Sequence, residues 1–205
     1  MSKEMKKDAV GAAESIPEPV KKRLPSYYRM LLKLYAEGYL RISSDELASA
    51  MGFSPSQVRG DMLAVGCSGQ KGYGYLITKL YNRIGEVLCI QDSYCAVMIG
   101  GGSLAEALSG CHLFTKRGVK LIGSFPTVDE AAIADFCRER RVDIMILACD
   151  AGNAARLASL AEELGVPGIW NFSDTDISSE RVAVRNVHFE DSLMLLCSEI
   201  TKKQR

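Results

Sequence analysis

The chain has 205 residues, 47% of them hydrophobic, and its 25 basic and 25 acidic side chains cancel, a composition that excludes a disordered or fibrous protein. No apolar run approaches the roughly 18 residues of a membrane span, and the N-terminus lacks the apolar core of a signal peptide, so we expect a cytoplasmic protein. The seven cysteines are scattered and include no C-x-x-C pair, which argues against a disulfide framework and against a zinc site.

The first predicted element is a long helix. Residues 1–15 show no periodic pattern, which predicts a mobile tail. Pro17 and Pro19 then open a helix whose apolar residues recur at helical spacing, and Gly38 ends it. Pro25 lies inside that run and predicts either a bend or a later helix start.

Two short helices follow, each opened by a side-chain cap. Ser43 and Glu46 form a capping box before a helix that Gly52 ends. Ser54 caps the next helix, predicted over 55–65. Two capped helices joined by about four residues are typical of a helix-turn-helix, whose second helix reads DNA. Its first turns would present three side chains to base edges: Ser56, Gln57 and Arg59.

A glycine-rich stretch over 66–75 predicts a tight β-hairpin with Lys71 near its tip. A basic hairpin after a recognition helix is typical of a wing that contacts phosphate or the minor groove. Residues 1–90 hold 13 Lys and Arg against 9 Asp and Glu, whereas residues 91–205 hold 12 against 16, which favours a polyanionic partner for the first part. The alternative is a plain helical hairpin used for dimerisation.

From Tyr94 onward, apolar strands alternate with helices, as in a parallel sheet covered on both faces. The predicted strands are 94–99, 120–125, 143–148, 168–170 and 182–184, and the predicted helices are 103–110, 127–140 and 152–164. A G-x-G-x-x-A motif follows the first strand directly and comprises Gly100, Gly101, Gly102, Ser103, Leu104 and Ala105. At a strand-to-helix turn such glycines let a pyrophosphate approach the helix N-terminus, which predicts a site for a nucleotide or another anion. The alternative is a glycine turn that binds nothing.

The last segment repeats apolar residues at helical spacing and ends in basic residues, which predicts an amphipathic helix. The pattern leaves open whether this helix covers its own domain or crosses to a partner subunit. The predicted organisation is a tail at 1–15, a DNA-binding domain at 16–90, a nucleotide-binding domain at 91–188 and a C-terminal dimerisation helix at 189–205.

Several segments resemble the Rex family of redox-sensing transcriptional repressors: IPEPVKKRLPSYYR (16–29), RISSDEL (41–47), QVR (57–59), KGYGY (71–75), GVPGIWNF (165–172) and VAVRNV (182–187). The resemblance implies a winged helix-turn-helix followed by a shortened Rossmann-like domain. It also implies a homodimer that binds a palindromic DNA operator, responds to NAD(H) and exchanges its last helix between subunits. Besides the glycine motif, it places the nucleotide against four residues: Phe125, Cys149, Asn171 and Phe189.

Several positions depart from the pattern of this family. Gly60 and Leu63 stand where the family has Lys and Ser, which predicts weaker or retargeted DNA binding. Phe125 replaces an Asp that binds the adenosine ribose, and the family's next strand is missing, so we expect NADH to bind weakly with little preference over NAD⁺. A Tyr and an Asp of the family's NADH response are replaced by Cys111 and His188.

The sequence therefore predicts a non-enzymatic DNA-binding repressor regulated by a nucleotide, NAD(H) by resemblance. Two alternatives stay open. One is a diverged relative that has lost or changed NADH sensing or binds DNA weakly. The other is a small NAD-dependent oxidoreductase, which would need an acid or base beside the nicotinamide. The two histidines, His112 and His188, have no recognisable catalytic constellation around them.

Overall fold

The structure is a computed structural model that describes residues 16–90, 92–110, 114 and 118–203. The tail predicted at 1–15, together with Cys111 and His112, lies outside the described residues. The chain divides into two compact units, one ending at Asp92 and the other beginning at Ser93.

The first unit is built from helices and a small antiparallel sheet. Its elements are α1 (Glu18–Ala36), β1 (Arg41–Ile42), α2 (Ser44–Met51), α3 (Pro55–Ala64), β2 (Tyr75–Leu76) and α4 (Ile77–Val87). Strands β1 and β2 pair with each other. All four helices contribute to one apolar core, whose members include Leu24, Leu31, Leu47, Val58, Met62, Leu80 and Ile84. This arrangement is the predicted helix-turn-helix with a sheet beside it.

This unit differs from the sequence-based expectations in several features. Helix α1 begins at Glu18 and continues through Pro25, so the expected later start is wrong. Buried residues on both sides of Pro25, among them Val20 and Tyr28, hold the helix continuous although an interior proline costs it a hydrogen bond. Helix α4 and the pairing of β1 with β2 were not predicted. The β-hairpin predicted over 66–75 is wrong in its pairing: a single bridge joins Gln70 to Gly74, and Tyr75 pairs with β1 instead.

The second unit is a parallel sheet covered by helices. Its elements are β3 (Tyr94–Ile99), α5 (Ser103–Ser109), β4 (Val119–Phe125), α6 (Glu130–Glu139), β5 (Ile144–Leu147), α7 (Ala151–Leu164), β6 (Gly168–Asn171), β7 (Ala183–Asn186) and α8 (Phe189–Lys203). The strand order is β4-β3-β5-β6-β7, and every pairing is parallel. The Rossmann-like class is confirmed, and β4 is the edge strand within the described residues, as the shortened sequence after it predicts.

The strand order positions a crevice at one edge of this sheet. Strand β3 has β4 on one side and β5 on the other, so the chain reverses its direction of winding between β3 and β5. Ligands of open parallel sheets bind at such a switch point, beyond the carboxyl ends of the strands. The loop that follows β3 at this edge is the glycine motif.

The last helix packs differently from the others. None of the described side chains of α8 is buried, and several large apolar ones are exposed: Phe189, Leu193, Met194, Leu195, Leu196 and Ile200. An apolar face of this extent normally covers another surface.

Candidate functional sites

Helix α3 presents one exposed face, opposite the side that packs into the core. Val58 and Met62 are fully buried, whereas Ser56, Arg59 and Leu63 are exposed at the spacing of one helix face. The Ser54 hydroxyl accepts a hydrogen bond from the Gln57 backbone N–H at 3.2 Å, which fixes the start of the helix as predicted. The predicted DNA-reading residues therefore lie on or beside this face, with Gln57 half-buried.

A cavity of about 740 Å³ lies between the start of α2, helix α3 and the glycine-rich segment. Three basic side chains line it: Arg41, Arg59 and Lys71. Asp45 and Glu46 also line it, and Glu46 is engaged in the capping box, where its carboxylate accepts the Ser43 N–H at 2.7 Å. The Arg59 guanidinium donates to the Ser44 hydroxyl at 3.1 Å and so extends across this cavity.

The glycine-rich segment contains a tight turn that places Lys71 outward. The Gln70 N–H donates to the Gly74 carbonyl, and the Gly74 N–H donates to the Gln70 carbonyl, both at 2.9 Å. Gly74 has a φ of 67°, and a Cβ there would collide with the Ile42 carbonyl, so the turn can approach β1 closely at a glycine. Lys71 is exposed at the tip, in the position predicted for a wing residue.

A part-buried ion pair links α3 to α1, and sequence reasoning missed it. Asp61 is 3% exposed and accepts two hydrogen bonds from Arg23, each at 2.7 Å, and one from the Tyr27 hydroxyl at 2.9 Å. Burial of the Tyr27 ring and its bond to this carboxylate raise the pKa of Tyr27. The three residues form the Arg23–Asp61–Tyr27 clamp, which links α3 to α1.

The glycine motif of the second unit follows β3, and a different structural constraint applies at each of its three glycines. Gly100 has a φ of 120°, and a Cβ at this position would collide with the Ala148 carbonyl. A Cβ on Gly101 would lie 2.8 Å from the Pro126 carbonyl oxygen. Gly102 has a φ of 86°, but a Cβ there would meet no described atom within 4 Å. The open space therefore lies in front of Gly102.

The start of α5 is suited to an anion. Gly102 is its N-cap, and no described side chain caps its first turn. Ser103 is exposed at the first helical position, while Leu104 and Ala105 pack against the sheet. The backbone N–H groups of an uncapped first turn bind negatively charged oxygens well.

Two further predicted residues lie at the same edge of the sheet: Phe125 ends β4, and Cys149 follows β5. The Phe125 ring packs edge-on against Phe136 of α6, with ring centroids 5.4 Å apart. Cys149 is half-buried, and burial together with the neighbouring Asp150 raises the pKa of its thiol to about 11. The first acidic residue after β4, Asp129, caps α6 by accepting the Ala132 N–H at 3.1 Å.

Asn171 and Phe189 lie further along this edge. Asn171 is fully buried, and its amide donates to the Thr175 carbonyl at 2.7 Å and to the Asn186 side chain at 2.9 Å. Its side-chain oxygen accepts from the backbone and hydroxyl of Ser173. The side chain of Asn171 is thus occupied with the loop after β6. The ring of Phe189 is exposed and stacks on Phe172 at 5.8 Å.

His188, which the resemblance places where the family has an Asp, is hydrogen-bonded to Asp176 inside the second unit, and the two form an ion pair when the imidazole is protonated. Its Nε2 lies 2.8 Å from Asp176 Oδ1. This hydrogen bond, with the charges of Asp176, Asp191 and Glu190, raises the pKa of His188 above its usual value.

Comparisons with known proteins point to one family. The family profile described as "Putative DNA-binding protein N-terminus" matches residues 15–62. A redox-sensing transcriptional repressor Rex of Clostridium perfringens (strain SM101 / Type A) is 35% identical over 198 residues, which cover 89% of this chain and 93% of the relative. The Rex repressor of Clostridium botulinum (strain Hall) is 33% identical over 206 residues, covering 93% of this chain and 98% of the relative.

Solved structures that resemble this chain were found as well. The crystal structure of RSP with β-NAD⁺ and operator DNA has a TM-score of 0.83 at 32% identity, and the match covers 92% of this chain and 94% of that one. The complex of RSP with β-NADH has a TM-score of 0.81 at 30% identity, covering 92% and 96%. Within the described part of the present chain, no helix is long and apolar enough to cross a membrane, and no group of three or more His, Cys, Asp or Glu could hold a metal ion.

Proposed function

Since the chain belongs to the Rex family of redox-sensing transcriptional repressors, we propose that it is a DNA-binding repressor whose affinity for its operator is modulated by NAD(H). The observation that carries the proposal is the winged helix-turn-helix with an exposed face on α3, joined in one chain to a Rossmann-like sheet with an open turn at Gly102.

The DNA-binding half acts through two kinds of contact. Arg59 is suited to pair with a guanine edge, which distinguishes sequences, while Lys71 at the wing is suited to a phosphate, which does not. The exposed apolar residues of α8 support a homodimer. A two-fold dimer binds a palindromic operator whose half-sites lie about one helical turn, or a multiple of it, apart.

The nucleotide half fits one part of NAD(H) better than another. The open space at Gly102 and the uncapped start of α5 fit the pyrophosphate. At the end of β4, Phe125 supplies no carboxylate for the adenosine ribose, and Asp129 is engaged as a helix cap. Loss of one charge-assisted hydrogen bond is worth about 1.5–3 kcal/mol, or roughly 10- to 150-fold in dissociation constant. We therefore propose weak NADH binding with little preference over NAD⁺.

The same edge supports a ligand-binding rather than a catalytic role. A general acid or base must reach the reacting atoms and titrate near the working pH. The raised pKa of Cys149 keeps its thiol protonated, and Asp150 is engaged as the N-cap of α7, where its carboxylate accepts the Asn153 N–H at 3.0 Å. A regulator that binds NAD(H) without turning it over needs neither group.

Fluorescence anisotropy with duplexes selected from a random pool tests the DNA-binding half. Arg59→Ala is expected to weaken binding to the selected site by about 1–3 kcal/mol. Arg138→Ala, which removes an exposed arginine of α6 from the second unit, is the matched control and should bind like the unmodified protein. Unchanged affinity in Arg59→Ala would show that α3 is not the reading helix.

Calorimetric titration with NADH and with NAD⁺ tests the nucleotide half. Gly102→Asp places a carboxylate in the space proposed for the pyrophosphate and should abolish binding. Gly102→Ala also places a side chain at a φ of 86° and so causes the same backbone strain, but it adds no charge. The difference in nucleotide affinity between the two variants therefore isolates the electrostatic effect. Submicromolar NADH binding with clear discrimination against NAD⁺ would contradict the proposed weakening.

A further inference from the structure

Leu63 is a large apolar side chain exposed on the reading face of α3. It is 71% exposed, one helical turn beyond Arg59, and it lines the same 740 Å³ cavity. Val58 and Met62, both fully buried, already form the side of this helix that packs into the core. Packing of the described unit therefore gives no reason for a leucine here.

The surroundings of Leu63 fit a polyanion with an apolar feature. Arg41, Arg59 and Lys71 line the same cavity and outnumber its two acidic residues, Asp45 and Glu46. Gly60 lies between Arg59 and Leu63 in the sequence of the helix. A Cβ on Gly60 would meet no described atom within 4 Å, so this turn of the helix exposes bare backbone. A bare turn can lie deeper in a groove than one that carries a long side chain.

Base edges in the major groove offer one prominent apolar group, the 5-methyl of thymine. We propose that Leu63 packs against a thymine methyl in each operator half-site and so determines a preference for thymine close to the base pair that Arg59 reads. The distance along α3 from Arg59 to Leu63 is about 6 Å, or one to two base-pair steps of roughly 3.4 Å. This inference rests on the proposed DNA-binding function.

The test compares thymine with deoxyuridine, which differs by this methyl alone. The full-length protein first selects duplexes from a random pool, and each thymine of the selected site is then replaced by deoxyuridine, one position at a time. Loss of one buried methyl contact should weaken binding about fourfold, and about sixteenfold when both half-sites are substituted. In Leu63→Ala and Leu63→Gln the thymine and deoxyuridine duplexes should bind equally.

Leu40→Ala is the matched control, because Leu40 is 72% exposed in the same unit and does not line the cavity. It should keep the fourfold discrimination, and thermal melting of each variant verifies folding. A selected site with no methyl dependence, or a methyl dependence that survives in both Leu63 variants, overturns the inference while leaving DNA binding intact. Selection of no duplex at all overturns the proposed DNA-binding function itself.

Discussion

Removing the carboxylate of the Arg23–Asp61–Tyr27 clamp should destabilise the first unit strongly. Asp61→Ala leaves the buried Tyr27 hydroxyl without its acceptor, which costs about 1–3 kcal/mol. It also removes the carboxylate that binds Arg23 through two hydrogen bonds. Breaking a buried ion pair by deleting one partner costs about 3–5 kcal/mol. The Arg23 side chain is 25% exposed and recovers part of this loss from water, so we expect a total of about 3 kcal/mol.

Urea unfolding followed by two spectroscopic probes measures this loss and supplies its own control. Seven of the eight tyrosines lie in the first unit, whereas Trp170, the single tryptophan, lies in the second. The tyrosine transition of Asp61→Ala should move to lower urea, while the tryptophan transition should stay in place. An unchanged tyrosine transition would refute the stabilising role of the clamp, and equal shifts of both transitions would refute independent unfolding of the two units.

A double variant separates stability from orientation. Arg23→Met with Asp61→Leu, made in a Tyr27→Phe background so that no buried hydroxyl loses its acceptor, replaces the ion pair by apolar side chains. Such a change is often nearly neutral for stability. If the clamp orients α3, this variant should keep its tyrosine transition and still bind the selected duplex more weakly. Normal affinity in the double variant would show that core packing alone orients the helix.

Three further predictions concern other parts of the chain. Lys71→Ala should weaken binding to all duplexes alike and reduce the slope of log affinity against log salt by about one, and a sequence-dependent loss would contradict a phosphate contact. In an NMR titration the pKa of His188 should lie above 6.5 and should fall in Asp176→Asn. The stabilisation from this pair is present below pH 6.5 and fades as the pH rises through the raised pKa. An unshifted pKa of His188 would exclude the ion pair. Truncation after Val187 removes α8 and should give monomers or aggregates in light scattering, whereas a well-behaved dimer would rule out helix exchange as the main contact.

The elements that the sequence predicted well are those marked by local interactions. The capping box is present, with the Glu46 N–H donating to the Ser43 hydroxyl at 3.1 Å, because both partners lie within one turn of chain. Helix α4 was missed although Ile77, Leu80 and Ile84 recur at helical spacing. It follows β2 directly, and no described side chain caps its start at Leu76, so no boundary signal separates strand from helix.

Contacts between distant parts of the chain were not predictable in this way. Two residues of the clamp, Arg23 and Asp61, are 38 positions apart in the sequence. Arg23 belongs to α1 and Asp61 to α3. In the sequence Asp61 is one acidic residue of a predicted helix, and such residues are usually exposed. Its burial follows from how two helices meet, which neither spacing nor propensity specifies.

The nucleotide site shows how a motif can combine two physical roles. Gly100 is required by strand packing, because a side chain there would collide with the Ala148 carbonyl whether or not a ligand binds. Gly102 alone among the three glycines leaves space in front of it. A glycine motif can therefore persist for structural reasons after its ligand contacts have weakened. Asp129 and Asp150 are both engaged as helix caps, and the open space at this edge lies at the turn at Gly102. A pyrophosphate held at that turn, as we propose, is a group that NADH and NAD⁺ share. Discrimination between the two redox states has to come from the nicotinamide end, which the glycine motif does not contact.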